Sequence, residues 1–321
     1  MDISQDPWVE KYRPKTLDSI CGQNEIVKLF NTSLNNNQVM HYLFYGPPGT
    51  GKTSAILSFC RDIYDEELWN KHVLEINASY DRGIDMVRSK IKTFCKKSMT
   101  PFVRDGRRVH YKFVILDEAD TLTIDAQNSL RRCIEIYSYN TRFCFLCNYP
   151  SRIIAPILSR CLVCHFQPIP RTSALEQMQY VCEQEGLKYD QDALCMVYDR
   201  SRGDLRSCVS SLQALSYMYG KIDTIGFLDY AGSFPDTIWD SLRDATLEEI
   251  IPTANHIYRQ AYSIRTIMSS FINWLLVSFE DERVYSFGVT LSKLEKQTIN
   301  CSDTRLFIMY LLQMAWSFVR K

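Results

Sequence analysis

No run of eighteen or more apolar residues occurs in the 321-residue sequence, so a membrane-spanning helix is not expected. Neither sign of charge dominates, with Lys plus Arg at 37 and Asp plus Glu at 37. A chain-wide basic field is therefore excluded as a basis for nucleic-acid binding, and any such surface has to come from local clustering. The opening Met1–Asp6 is too polar to begin a signal peptide, and no internal repeat appears. A soluble, intracellular protein without a membrane partner is the expectation. A hydrophobic fraction of 46% and a charged fraction of 23% suit a chain that buries a sizeable core in two or three domains.

Twelve cysteines stand out against this background. Cys144-x2-Cys147 and Cys161-x2-Cys164 have the numerical spacing of a four-thiolate zinc site. Both pairs, however, fall in strand-like stretches, where residues i and i+3 point to opposite faces. Phe145-Leu146 and Leu162-Val163 also stand where a zinc knuckle needs turn residues. These thiols are read as small buried hydrophobes instead.

Strand patterns at Tyr42–Tyr45, Val73–Asn77, Lys112–Leu116, Arg142–Cys147 and Leu162–Phe166 alternate with helical patterns at Glu25–Asn35, Thr53–Tyr64, Ile84–Lys97 and Asp125–Tyr137. That alternation predicts an α/β domain with a mostly parallel sheet covered on both faces. Beyond Pro168–Pro170 the strand signal ends. Ser173–Glu185, Asp190–Ser201 and Leu205–Tyr219 read as short helices, and apolar helical periodicity returns through Ile264–Phe279 and Ser302–Val319. The expected plan is a nucleotide-binding domain over 1–168, a small helical lid over 169–232 and an all-α C-terminal domain over 233–321.

Gly46-Pro47-Pro48-Gly49-Thr50-Gly51-Lys52-Thr53 follows a predicted strand and opens a predicted helix. This is the phosphate-loop pattern in its required setting. Its glycines let backbone N–H groups turn toward phosphate oxygens, and the helix adds its N-terminal dipole. Lys52 suits the β and γ phosphates, and the Thr53 hydroxyl suits Mg²⁺. Val114-Ile-Leu-Asp117-Glu118 then delivers two carboxylates at the end of an apolar strand. Asp117 is suited to hold Mg²⁺ through water, and Glu118 to polarise an attacking water as general base. ATP hydrolysis is the expectation.

Trp8-Val-Glu-Lys-Tyr-Arg-Pro14, the phosphate loop, Asn77-Ala-Ser, Asp117-Glu-Ala-Asp120, Asp125-Ala-Gln-Asn-Ser-Leu-Arg-Arg132 and Ser159-Arg160-Cys161 occur in that order. Over residues 7–215 the chain resembles the small subunits of replication factor C, the AAA+ clamp loader. The resemblance implies that Val9, Tyr12, Arg13 and Pro14 pack around adenine. It makes Asn148 a first sensor and Arg206 a second sensor of the γ-phosphate. It makes Arg160 an arginine finger that enters the ATP site of a neighbouring subunit. It also makes 233–321 the oligomerisation collar, with Trp274, Phe279, Phe307, Tyr310 and Trp316 either joining subunits or forming a core. The implied partners are related subunits in a hetero-pentamer, a sliding clamp of the PCNA kind and primer–template DNA. The implied address is the nucleus of a cellular eukaryote, or the host cytoplasm for a large DNA virus. Alternatives are a structural ATP-binding subunit of the same ring and another DNA-linked AAA+ ATPase.

Between Arg82 and Lys112 lie ten Lys or Arg against two Asp. On the first helix Val87, Ile91 and Phe94 are expected inward, with Arg88, Lys92 and Lys96 as an outward row. On the next, Ala126, Leu130, Cys133 and Ile134 are expected inward, with Gln127 and Arg131 outward. In the family such helices track the phosphate backbone, which gives Arg82, Arg88, Lys92, Gln127 and Arg131 as candidate DNA contacts. The loop Ser98–Phe102 lies where the family approaches the clamp, and its Met99 and Phe102 are expected either exposed toward a clamp or tucked onto their own domain. Tyr80 stands where the family commonly has an acidic residue.

Overall fold

A computed structural model describes residues 6–36, 38–80, 85, 87–104, 106–235, 237–242, 245–279, 282–298 and 303–320. The chain divides into two compact units, one through Thr224 and the other from Ile225.

In the first unit, α1 (Trp8–Lys11) and α2 (Asn24–Asn35) precede β1 (Tyr42–Tyr45), α3 (Lys52–Ile63), α4 (Glu66–His72) and β2 (Val73–Asn77). A π-helical stretch, Val87–Ile91, runs into α5 (Lys92–Lys96). There follow β3 (Phe102–Arg104), β4 (Arg107–Val109), β5 (Lys112–Asp117), α6 (Ile124–Tyr137), β6 (Thr141–Cys147), α7 (Ala155–Leu158) and β7 (Leu162–His165). Helices α8 (Arg171–Gln184), α9 (Gln191–Ser201) and α10 (Leu205–Tyr219) complete it.

The main sheet has the order β2-β5-β6-β1-β7, and its pairings are all parallel. Its strands are apolar runs rather than alternating ones because both faces are covered. One layer holds Phe30, Tyr42, Phe44, Ile56 and Phe59, with Phe30 stacked on Phe59 at 4.2 Å between centroids. The other holds Leu43, Val114, Leu116, Leu130, Ile134 and Phe143. Cys144 and Cys164 lie in the first layer, while Cys147 and Cys161 pack in the second. Each Cys-x2-Cys pair thus straddles the sheet, as strand geometry requires.

Differences from the sequence reading are local. The strands β3 and β4 pair as an antiparallel hairpin where a loop is expected. Phe102 packs near Tyr64 and His72, and Met99 leans on the same core, so of the two expectations the side chains tucked onto their own domain are the ones found. Lys112, almost fully buried, donates to the carbonyls of Phe94 at 2.6 Å and Lys97 at 2.7 Å. It closes the C-terminus of α5, where a cation meets the negative end of the helix dipole. Burial pushes its ammonium pKa down.

His41 locks the entry to β1 against β6, its Nδ1 accepting from the Phe143 N–H at 3.0 Å. Only an unprotonated ring nitrogen can accept there. Burial first, and the Arg142 charge second, push its pKa from 6.5 down to about 4. The unfolded ring takes up a proton near pH 6.5 and the folded ring only near 4. Stability is therefore whole above about 6.5 and falls as the pH drops through that window. The full gap corresponds to roughly 3 kcal/mol, and solvent at the half-buried ring reduces the expected loss to about 1–2 kcal/mol. Thermal unfolding between pH 7 and 4.5 measures it, and His41→Gln should flatten the slope. An equal slope in that variant would assign the effect elsewhere.

Helix α11 (Thr224–Tyr230) straddles the division between the units. The second unit is helical, with α12 (Thr237–Ser241), α13 (Ile250–Arg259), α14 (Ile264–Ser278), α15 (Glu282–Thr298) and α16 (Thr304–Val319). Its core gathers Trp239, Phe271, Trp274, Phe307 and Leu311. Trp274 donates to Asp240 Oδ1 at 3.0 Å and Trp316 to Ala245 O at 2.8 Å. Both indoles are therefore anchored within the unit, whereas Tyr310 is exposed. Among the described residues no helix is long and apolar enough to cross a membrane.

Candidate active site

In a parallel sheet the loops leaving the carboxyl ends of the strands collect at one edge. Here that edge receives the phosphate loop after β1, Asn77 from β2, Asp117 and Glu118 from β5, and Asn148 just beyond β6. They share a cleft of about 390 Å³ with Val9, Tyr12, Arg13, Pro14 and Arg206. The phosphate loop contributes Pro48, Gly49, Thr50, Gly51, Lys52 and Thr53 to its lining.

Two glycines are required by close approach as well as by backbone angle. Gly46, at φ 150°, passes so near Phe166 that a Cβ would stand 2.1 Å from its carbonyl oxygen. Gly49, at φ 67°, lies against Asp204, and a Cβ there would stand 1.7 Å from Oδ1. Asp204 also caps α10 by accepting from the Ser207 N–H at 3.0 Å. The helix carrying Arg206 is thereby seated directly on the phosphate loop.

Lys52 donates to Gly46 O at 2.8 Å, Pro47 O at 2.7 Å and Asn148 Oδ1 at 3.1 Å. The fork joins the lysine to Asn148 and fixes the position of its ammonium. Burial lowers its pKa, against the opposing pull of Asp117. The Thr53 hydroxyl donates to Asp117 Oδ2 at 2.9 Å. The pair fits a magnesium site, with the Thr53 hydroxyl as a hard oxygen ligand and the Asp117 carboxylate beside it to hold the ion through water. Asp117 Oδ1 accepts from the Glu118 N–H at 2.9 Å. Glu118 sits at φ 52°, a left-handed conformation that few non-glycine residues adopt. This turn aims its carboxylate away from the strand, where Asn77 Nδ2 donates to Oε1 at 3.3 Å.

Several partners escaped the sequence reading. Asn77 holds the general-base candidate, and its Oδ1 meanwhile accepts from Ser79 N at 2.8 Å and Ser79 Oγ at 2.6 Å. Asp120 Oδ2 accepts from the N–H groups of Asn148 at 3.3 Å and Tyr149 at 3.2 Å, so it fixes the turn that carries Asn148. Ile20, Cys21, Ile169, Leu205 and Val209 give the cleft an apolar end. Only tertiary folding brings these residues together; the Asp117–Asp120 string was the one signal at hand.

The amino-terminal strap is tied to the helices beyond the sheet. Tyr12 Oη and Lys11 Nζ both donate to Glu185 Oε1, at 2.5 and 2.7 Å. The Trp8 N–H donates to Gln213 Oε1 at 3.1 Å, and its ring lies 6.5 Å from that of Tyr217. Burial, then the hydrogen bond to Glu185, pushes the Tyr12 phenol up to about 12.

Arg160 lies outside this cleft, its Nη2 donating to Glu135 Oε1 at 2.6 Å and its Nη1 to Pro156 O at 2.6 Å. Of the candidate DNA contacts, Arg131 and Lys92 are exposed. Arg82 falls outside the described residues, as does the side chain of Arg88. Gln127 corrects the expectation of an outward side chain, being only 1% exposed. Its Nε2 donates to Leu122 O at 3.2 Å and Arg152 O at 3.0 Å, while its Oε1 accepts from Ile154 N at 2.9 Å. Its amide satisfies backbone groups on two loops, so a polar residue replaces the apolar one that helical spacing would put there. Tyr80 is 90% exposed, just past the turn that Asn77 organises.

Residues 22–170 match the family described as DNA polymerase III, delta subunit. The chain is 39% identical to replication factor C subunit 2 of Oryza sativa subsp. japonica, over 87% of this chain and 84% of the relative. It is 36% identical to a replication factor C small subunit of Thermofilum pendens, over 97% of this chain and 96% of the relative. Among solved structures, the RuvB Holliday junction branch migration motor of Thermotoga maritima aligns with a TM-score of 0.55 at 17% identity, covering 77% of this chain and 80% of that one. That likeness shows a shared fold. With relatives matched along most of their length and a phosphate loop, paired carboxylates, Asn148 and Arg206 converging on one cleft, the chain belongs to the replication factor C small subunits, the AAA+ ATPase subunits of clamp loaders.

Proposed function

We propose that this chain binds ATP with Mg²⁺ in the cleft and hydrolyses it only when a neighbouring subunit supplies an arginine, so as to load a sliding clamp of the PCNA kind onto primer–template DNA. The observation that carries this reading is the division of the catalytic set. Lys52, Thr53, Asp117, Glu118, Asn148 and Arg206 share one cleft, whereas Arg160 sits apart on the chain's own surface. An arginine so placed serves a second molecule.

The apolar end of the cleft, with Val9, Tyr12 and Arg13 along the strap, receives adenine. Lys52 and the backbone of Gly46–Thr53 bind the phosphates, and Arg206 reaches the γ-phosphate from the lid. Thr53 and Asp117 would hold Mg²⁺, which neutralises charge on the β and γ phosphates when bound. Glu118 takes the proton of the attacking water, and Asn148 orients that water. Once the γ-phosphate leaves, Asn148, Arg206 and the neighbour's arginine lose a shared ligand, and the engaged arrangement is no longer favoured. Residues 1–168 serve as the AAA+ domain, 169–232 as the lid and 233–321 as the collar of a hetero-pentamer. Arg131 and Lys92, with Arg82 and Arg88, follow the phosphate backbone of the duplex without reading its sequence. In a cellular eukaryote the place of action is the nucleus.

The test is reconstitution. Co-expression with related subunits and a clamp should give a stable complex whose ATPase rises on primed DNA, with binding that weakens steeply as salt is added. An isolated chain that turns over ATP at full rate, indifferent to subunits, clamp and DNA, would overturn the proposal.

A further inference from the structure

One carboxylate oxygen holds both arginines that the proposed mechanism sends outward. Glu135 Oε1 accepts from Arg160 Nη2 at 2.6 Å and from Arg131 Nε at 3.1 Å. Arg131 precedes Glu135 by four residues on α6, while Arg160 comes from the turn before β7, where Pro156 O takes its other amino group at 2.6 Å. A guanidinium fixed at both amino groups is oriented before it meets a phosphate, and a donor oriented in advance needs no reorganisation in the transition state. Both cations share that single oxygen and its charge.

We infer that Glu135 is the positioning residue for Arg160, and that Arg131 modulates its hold by competing for the same carboxylate. This inference rests on the reading of Arg160 as a trans-acting arginine and of Arg131 as a DNA contact. A phosphate that draws Arg131 away leaves Glu135 wholly to Arg160. The finger is then better fixed when a duplex is bound, and DNA raises turnover at the neighbour's site through this exchange. The side chains of Arg160, Glu135 and Arg131 remain 34%, 39% and 45% exposed, so the effect is that of a surface ion pair, about two- to fivefold in rate.

The experiment uses the assembled ring, with ATP turnover measured with and without primer–template DNA. Glu135→Gln should lower DNA-stimulated turnover about two- to fivefold while leaving ATP affinity in the chain's own cleft unaltered. Arg131→Gln should raise DNA-free turnover by a similar factor and shrink the stimulation ratio. On an Arg160→Ala background, Glu135→Gln should have no further effect, because its action passes through that arginine. A Glu135→Gln ring indistinguishable from wild type would overturn the inference, as would a Glu135→Gln effect that persists undiminished without Arg160. Failure of the underlying reading looks different: Arg160→Ala alone would then leave turnover intact.

Discussion

Replacing Arg160 with alanine is expected to slow hydrolysis at the neighbouring site by about 10³–10⁵-fold, the range for a guanidinium delivered to a transferring phosphoryl group. Charge builds on the equatorial and bridging oxygens as the γ-phosphoryl leaves, and a further cation delivered from outside the cleft stabilises it. Because an assembly of related subunits carries other sites, the measurement is single-turnover hydrolysis with the remaining phosphate loops disabled. ATP affinity in the chain's own cleft should stay unchanged, since Arg160 does not line it. Turnover within twofold of wild type would show that Arg160 is only a surface residue paired with Glu135.

Glu118→Gln carries the second large effect. The amide keeps the volume and lets Asn77 keep its hydrogen bond, but it cannot take a proton from water. Loss of a general base is expected to lower the chemical step by about 10²–10⁴-fold with nucleotide still bound. Rapid-quench hydrolysis together with a nucleotide-binding titration separates the two quantities. A variant that hydrolyses normally would move the base elsewhere; one that no longer binds nucleotide would make Glu118 a structural residue. Its backbone, at φ 52°, already commits the side chain to the outer face of the turn, so the comparison is between two side chains in one pose.

The sheet, the phosphate loop and the carboxylates were legible because each rests on local pattern. Four-residue runs such as Tyr42–Tyr45 have no polar face to offer, and a strand buried on both sides is the one setting that suits them. Gln127 was misread for a related reason. Periodicity assigns a face by hydrophobicity, so a glutamine whose three hydrogen bonds all go to backbone in other loops looks like a surface residue. The placement of Met99 and Phe102 stayed open in the sequence because the hairpin that brings Phe102 onto Tyr64 and His72 carries little strand signal in its three-residue arms. Asn77 and Asp120 are beyond sequence reasoning of this kind, since their partners Glu118 and Asn148 are 41 and 28 residues away.

The strap formed by Trp8–Tyr12 has a mechanical consequence. It walls the apolar end of the cleft and is also fastened to the segment after α8 through Glu185 and to α10 through Gln213. Under the proposed function, a base seated against Val9 would bear on a strap that is fastened to two helices beyond the sheet, so fit of the base and posture of those helices would be coupled.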